Sequence, residues 1–196
     1  MGVMRLFLAM LATLPWLSAA TAGVSDDDVT VDYRNGIYTA RLSARIVVPP
    51  TVALAVLTDF DRMAAFMPGL THSQVVERNG NVYRIVQRGK ARFGPFSQNY
   101  ESERRIEVVD ASRILSRSLG GSARRMESEM RIHAADGGTR LDYRLELEPE
   151  VWLPSSLASN FLQHELAEQF NALGNEMLRR ASGQAAKSDK AIPNSP

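Results

Sequence analysis

The feature that most restricts this chain is the stretch from Leu70 to Glu148. Apolar and polar residues alternate there, and turn chemistry recurs at Asn79-Gly80, Phe93-Gly94-Pro95-Phe96, Asp110-Ala111-Ser112, Gly120-Gly121 and Asp136-Gly137-Gly138. A period of two sends side chains to opposite faces of a sheet, and tight turns join neighbours that run antiparallel. Six consecutive antiparallel strands are therefore expected. Phase puts Tyr83, Ile85 and Gln87 on the inward face, with Tyr100, Ile106 and Val108, with Met126, Met130 and Ile132, and with Leu141, Tyr143, Leu145 and Leu147. Beyond Pro149 and Pro154 the period changes. Leu157, Phe161, Leu162, Leu166, Phe170, Leu173, Met177 and Leu178 recur at helical spacing, which predicts a long helix from about Ser155 to Ala181 with one apolar stripe. Ser155 or Ser156 caps its start, Arg179-Arg180 suit its C-terminal dipole, and Gly183 ends it.

Ahead of these strands, Tyr38 to Ile46 alternates and reads as one more, stopped by Pro49-Pro50. Thr51 to Thr58 reads as a short helix, and Arg62 to Met67 as a second that Pro68-Gly69 breaks. The order is strand, two short helices, six strands and a closing helix. That order predicts an α+β fold in which a curved antiparallel sheet of about seven strands wraps a long C-terminal helix. A sheet wrapped on a single helix leaves space between the two, a natural cavity for an apolar ligand.

The termini read differently. Met1 to Gly23 carries Arg5, an apolar run from Leu6 to Leu17 and a small-x-small site at Ala20-Thr21-Ala22, the pattern of a cleaved secretory signal. Pro15 interrupts the run, which is too short to span a bilayer. Residues 1–22 are expected to be a signal peptide, 23–37 an acidic leader, 38–181 the ligand-binding domain and 182–196 a disordered tail. The chain has no cysteine, which excludes disulfides, thiolate nucleophiles and cysteine-held metals and suits a periplasmic location. Its 23 basic and 22 acidic residues leave a formal charge of +1, so no excess positive field exists to hold a nucleic acid.

The stretch Val56-Leu57-Thr58-Asp59-Phe60-Asp61-Arg62-Met63-Ala64-Ala65-Phe66-Met67-Pro68-Gly69, taken with the order of elements, resembles the START-like helix-grip superfamily, also called SRPBCC. Within it the similarity is to the polyketide cyclase/dehydrase and coenzyme Q-binding START branch. Asp59 after the first helix, then Phe66 and Pro68 before the second strand, match that branch in order and spacing. The resemblance covers Tyr38 to Ala181. It implies the helix-grip fold and a hydrophobic small molecule or lipid held between sheet and C-terminal helix.

Periodicity alone reads Tyr83, Ile85, Tyr100, Ile106, Met126, Met130, Tyr143, Leu145, Leu166 and Phe170 as core, and the resemblance makes them candidate pocket lining. The same phase turns Arg104 and Arg124 inward, and hairpin arithmetic places them in one row with Ser118. A buried guanidinium without a partner is costly, so this row is the expected polar end of the cavity, suited to a carboxylate, a phosphate or a quinone carbonyl. Phe66 and Met67 on one loop, and Phe93 and Phe96 at a hairpin tip, are the candidate gate. Arg84, Arg88, Lys90 and Arg92 form a basic row on the outer face, with Glu101, Glu103 and Glu107 as cross-strand partners. The bland reading of that row is a solvated face; the sharper one is transient contact with an anionic membrane surface.

Catalytic signals are weak. His72, His133 and His164 are scattered, and His164-Glu165-Leu166-Ala167-Glu168 lacks the second histidine of a zinc helix. Neither a metal nor a cofactor is expected. The leading expectation is a periplasmic START-like protein that binds or shuttles a lipid, a quinone or a polyketide-like molecule. One alternative is a cyclase or dehydratase acting on an aromatic polyketide-like substrate, and another is a protein-interaction module with a filled core.

Overall fold

Proline and glycine punctuate the chain where it changes direction, and the elements between them follow the predicted order. The computed structural model describes residues 23–93, 96–150 and 155–190. The expected signal segment, residues 1–22, lies outside them. The elements are β1 (Thr30–Arg34), β2 (Ile37–Ile46), α1 (Pro50–Leu57), a 3-10 helix (Phe60–Ala65), β3 (Leu70–Asn79), β4 (Val82–Phe93), β5 (Phe96–Asp110), β6 (Arg113–Gly121), β7 (Ala123–Ala135), β8 (Gly138–Pro149) and α2 (Ser155–Lys190). The strands form one antiparallel sheet in the order β1-β2-β8-β7-β6-β5-β4-β3. This is an α+β helix-grip fold.

The sheet has eight strands among the described residues, where about seven were expected. The extra strand comes from the acidic leader. Asn35 and Gly36 both take positive φ, 52° and 86°, the geometry of a two-residue hairpin turn, and this folds Thr30–Arg34 onto β2. Residues ahead of β1 are also held. Asn171 of α2 grips Val24 twice, accepting from its N–H at 2.7 Å and donating to its carbonyl at 2.8 Å, and Gln163 donates to the Val29 carbonyl at 2.8 Å. Val29 is buried beneath this strap. The leader is thus part of the fold, and the folded unit begins earlier than Tyr38.

The inward faces match the phase read from sequence. Ala40, Leu42, Ala44 and Ile46 of β2, Ile85 of β4, Ile106 of β5, and Leu141 and Leu145 of β8 are buried, and so are Leu162, Leu166, Phe170, Leu173 and Met177 of α2. Each large side chain moved fully out of water contributes roughly 1.5–3 kcal/mol, so this stripe is what seats α2 on the sheet. The helix does not stop at Gly183 but runs on to Lys190. One glycine costs a helix only about 1 kcal/mol, and the Gln-Ala-Ala-Lys that follows is strongly helix-forming, so propagation outweighs the break.

The lower half of α2 is tied to the start of the domain by charge. Arg180 donates to Asp59 at 2.6 Å and to Glu176 at 2.7 Å, while Arg179 clasps Glu176 from the other side at 2.6 Å. Glu176 is 6% exposed, and the two guanidiniums hold its carboxyl down at about 2. Of the two arginines read from sequence as dipole complement, Arg180 is thus the fastening between α2 and the loop after α1, and Arg179 braces Glu176 within the helix.

Candidate ligand-binding site

Helix α2 packs its backbone against α1, β1, β2 and the N-terminal 3-10 turn Asp26–Asp28, and it makes no comparable approach to β4, β5 or β6. The concave face of those three strands lies beneath it without close helical cover. Arg104 of β5 sits there. Arg104 and Tyr143 are each half-buried on this face. Burial pushes the Arg104 guanidinium down and the phenols of Tyr143 and Tyr100 up. The positive charge of Arg104 acts in the opposite sense on both phenols, which places them within its electrostatic reach.

Strand register explains the neighbours. Arg104 lies opposite Ile85 on β4 and Ser118 on β6, with Ser102 two residues away on the same face and Ser116 opposite Ile106. Gln87, opposite Ser102, accepts a hydrogen bond from Nη2 of Arg104. Its amide nitrogen donates to Ser73 at 2.9 Å, and Ser73 donates to the Phe60 carbonyl at 2.5 Å. Three buried polar atoms here have no partner: Nε of Arg104 and the hydroxyl oxygens of Ser102 and Ser116. Among the described residues Arg104 forms no ion pair. A charged group kept out of water without a counter-ion is costly, so the arrangement favours an acceptor supplied from outside the chain.

Arg124 does not join this row. The register between β7 and β8 shifts between Ala123 and Arg125, which breaks the alternation that would have turned Arg124 inward. It is 66% exposed in its side chain and pairs with Glu148 at 3.2 Å. Ser118 faces Arg104 as expected, but its hydroxyl accepts the backbone N–H of Met126. The polar end therefore has one inward arginine and a set of serines. Ser102 and Ser116 were legible only as residues sharing phase with Arg104 and Ile106, and their hydroxyls were passed over.

The apolar candidates divide. Ile85, Ile106, Met130, Leu145, Leu166 and Phe170 are buried, and Met126 is partly so. Tyr143 packs its ring on Phe170 at 5.4 Å. Tyr83, opposite Ile106 near the start of β4, is engaged edge-on to Phe60 at 5.1 Å and under the Arg78 guanidinium at 5.0 Å. Tyr100 crosses the strand pair onto Gly89, where an added Cβ would come within 2.6 Å of its hydroxyl. Phe66 and Met67 of the candidate gate pack against the core, and Arg180 lies 5.8 Å from the Phe66 ring. The side chains of Phe93 and Phe96 lie outside the described residues, though their backbones pair as the last residues of the β4–β5 hairpin.

Two residues of the outer basic row, Arg84 and Arg88, are paired, whereas Glu107 pairs with Arg105 at 3.0 Å and the Arg92 side chain lies outside the described residues. Arg84 pairs with Glu103 at 2.9 Å and Glu77 at 3.1 Å, and Arg88 with Glu101 at 3.1 Å. His164 lies 3.3 Å from Asp26 and 3.6 Å from Glu168, and His133 is 3.1 Å from Asp142. Among the described residues no cluster of histidines and carboxylates is arranged to hold a metal, and no helix is long and apolar enough to cross a membrane.

An eight-stranded antiparallel sheet with a long C-terminal helix packed on it is the helix-grip architecture of the START-like class of α+β proteins. Residues 46–173, more than half of the chain, match the family described as polyketide cyclase/dehydrase and lipid transport, and the chain belongs to that family. No curated protein matches the sequence. Solved structures share the fold. TTHA0849 from Thermus thermophilus aligns with a TM-score of 0.66 at 18% identity, covering 73% of this chain and 99% of that one. The STAR-related lipid transfer protein (fragment 25–204) from Xanthomonas axonopodis aligns at 0.60 and 13% identity, covering 78% and 99%. The Zhui aromatase/cyclase from Streptomyces sp. R1128 aligns at 0.59 and 16% identity, covering 76% and 96%.

Proposed function

We propose that the protein is an exported, periplasmic carrier that holds a hydrophobic small molecule, such as a lipid, a quinone or a polyketide-like compound, between the sheet and α2. The single observation that carries this reading is the half-buried Arg104, which has no ion pair among the described residues and has apolar side chains around it on the same face. The lipid-transfer and aromatase/cyclase proteins of the same fold bracket the choice between carrying and catalysis. Carrying is favoured because the charged group on this face is an arginine, which stays protonated and is a poor proton shuttle. Export rests on the sequence of residues 1–22.

Native mass spectrometry of the protein taken from its own periplasm, followed by extraction, tests the reading. An adduct whose mass matches an apolar small molecule is expected. Protein that is found only in the cytoplasm, or that emerges without an adduct and takes up none from a lipid extract, argues against it.

A further inference from the structure

We propose that the Arg104 guanidinium is the seat for a single carboxylate at the head of an apolar-tailed ligand. The inference rests on the reading of the chain as a hydrophobic-ligand binder and adds the chemistry of the head group.

Hydrogen-bond direction comes first. The hydroxyl proton of Ser73 is committed to the Phe60 carbonyl at 2.5 Å, so its oxygen can only accept, and it takes a proton from the Gln87 amide nitrogen at 2.9 Å. The Gln87 amide is thereby oriented. Its oxygen must face Arg104, and a flipped amide would set nitrogen against the guanidinium and oxygen against an occupied acceptor. The relay fixes the guanidinium in place while giving it only a neutral dipole as partner.

Charge comes second. Arginine stays protonated in proteins, so one positive charge remains beneath α2 without an ion pair among the described residues. A neutral carbonyl would leave that charge unmatched. A dianionic phosphate would exchange it for a net negative charge in the same place. A monoanion cancels it.

Donor count and shape come third. Nη2 of Arg104 is committed to Gln87 and the rest of the half-buried guanidinium has no acceptor of its own, while a carboxylate offers about four acceptor positions in a plane that fits the guanidinium edge. Ile106 and Ile85, beside Arg104 on the same face, provide the apolar collar that excludes water from the pair.

The test is displacement of the neutral fluorophore N-phenyl-1-naphthylamine from the full chain by dodecanoic acid and by its methyl ester, at neutral pH. The acid is expected to displace at a concentration lower than the ester by at least about tenfold, the size of one charge-assisted hydrogen-bonded pair. Arg104→Met, an apolar replacement of similar length, is expected to erase that preference while keeping ester binding. Gln87→Glu, which sets a built-in carboxylate on the guanidinium, is expected to erase it too, and this serves if the methionine variant does not fold. Equal displacement by acid and ester in the unmodified protein overturns the carboxylate seat and leaves hydrophobic binding standing. A preference for dodecyl phosphate over the acid, or a preference that survives both substitutions, also overturns it. Failure of fluorophore, acid and ester alike to bind overturns both readings.

Discussion

Arg180 near the lower end of α2 reaches Asp59, just past α1, at 2.6 Å, and the same guanidinium meets Glu176 one helical turn earlier at 2.7 Å. The contact joins residues 121 apart in sequence, and both partners are largely sheltered, with side-chain exposures of 17% and 22%. It turns the end of a helix into a fixed point of the fold.

Acid should loosen that point. Glu176 titrates at about 2 in the folded protein against an ordinary value of 4.5, so the folded state binds its proton less readily than the unfolded chain does. The stabilisation is therefore complete above pH 4.5 and is lost as pH falls toward 2. The difference between the two values caps the effect at about 3 kcal/mol. Urea unfolding of Glu176→Gln should show a lower midpoint than the unmodified protein at pH 7 and a much smaller gap at pH 3. A gap that does not narrow with acid would refute the assignment.

Asn171→Ala should release the strap. Two hydrogen bonds to Val24 disappear together, at a cost of about 1–2 kcal/mol, and the loss should be local. Amide hydrogen exchange is expected to speed up at residues 24–29 while β7 and β8 keep their protection.

Gly89→Ala should be destabilising by about 1–3 kcal/mol, because overpacking forces neighbours to move. The new methyl would lie 2.6 Å from both the Tyr100 hydroxyl and the Gly69 carbonyl, and the latter is backbone that cannot swing aside. A thermal midpoint equal to that of the unmodified protein would count against the placement of Tyr100 over this glycine.

Gly36→Val tests the first hairpin. A β-branched residue at φ 86° costs about 1–2 kcal/mol or more, and only β1 depends on the turn. Hydrogen exchange should accelerate across Thr30–Arg34 and remain slow in β8.

The strands from β3 to β8 were legible because alternation and turn residues agree at every step, and α2 was legible because its apolar stripe is long. Arg104 was legible for the same reason, since strict alternation runs through it from Tyr100 to Val108. Arg124 was misread because one shift between Ala123 and Arg125 reverses the face, and nothing in the local composition announces it. Asn35-Gly36 carried a hairpin signal inside an acidic, polar stretch, where the poor hydrophobicity of Thr30–Arg34 masked it. The Gln87–Ser73–Phe60 relay joins three elements through side chains, and a pattern of hydropathy contains no term for such pairings.

Fastened at Gln163, Asn171 and Arg180, α2 is a beam pinned at three points along its length. A beam held this way does not lift. Any opening of the space beneath it has to come from the bending of β4, β5 and β6, the strands it does not touch closely, so the size of the proposed ligand would be set by how far a twisted sheet can flex.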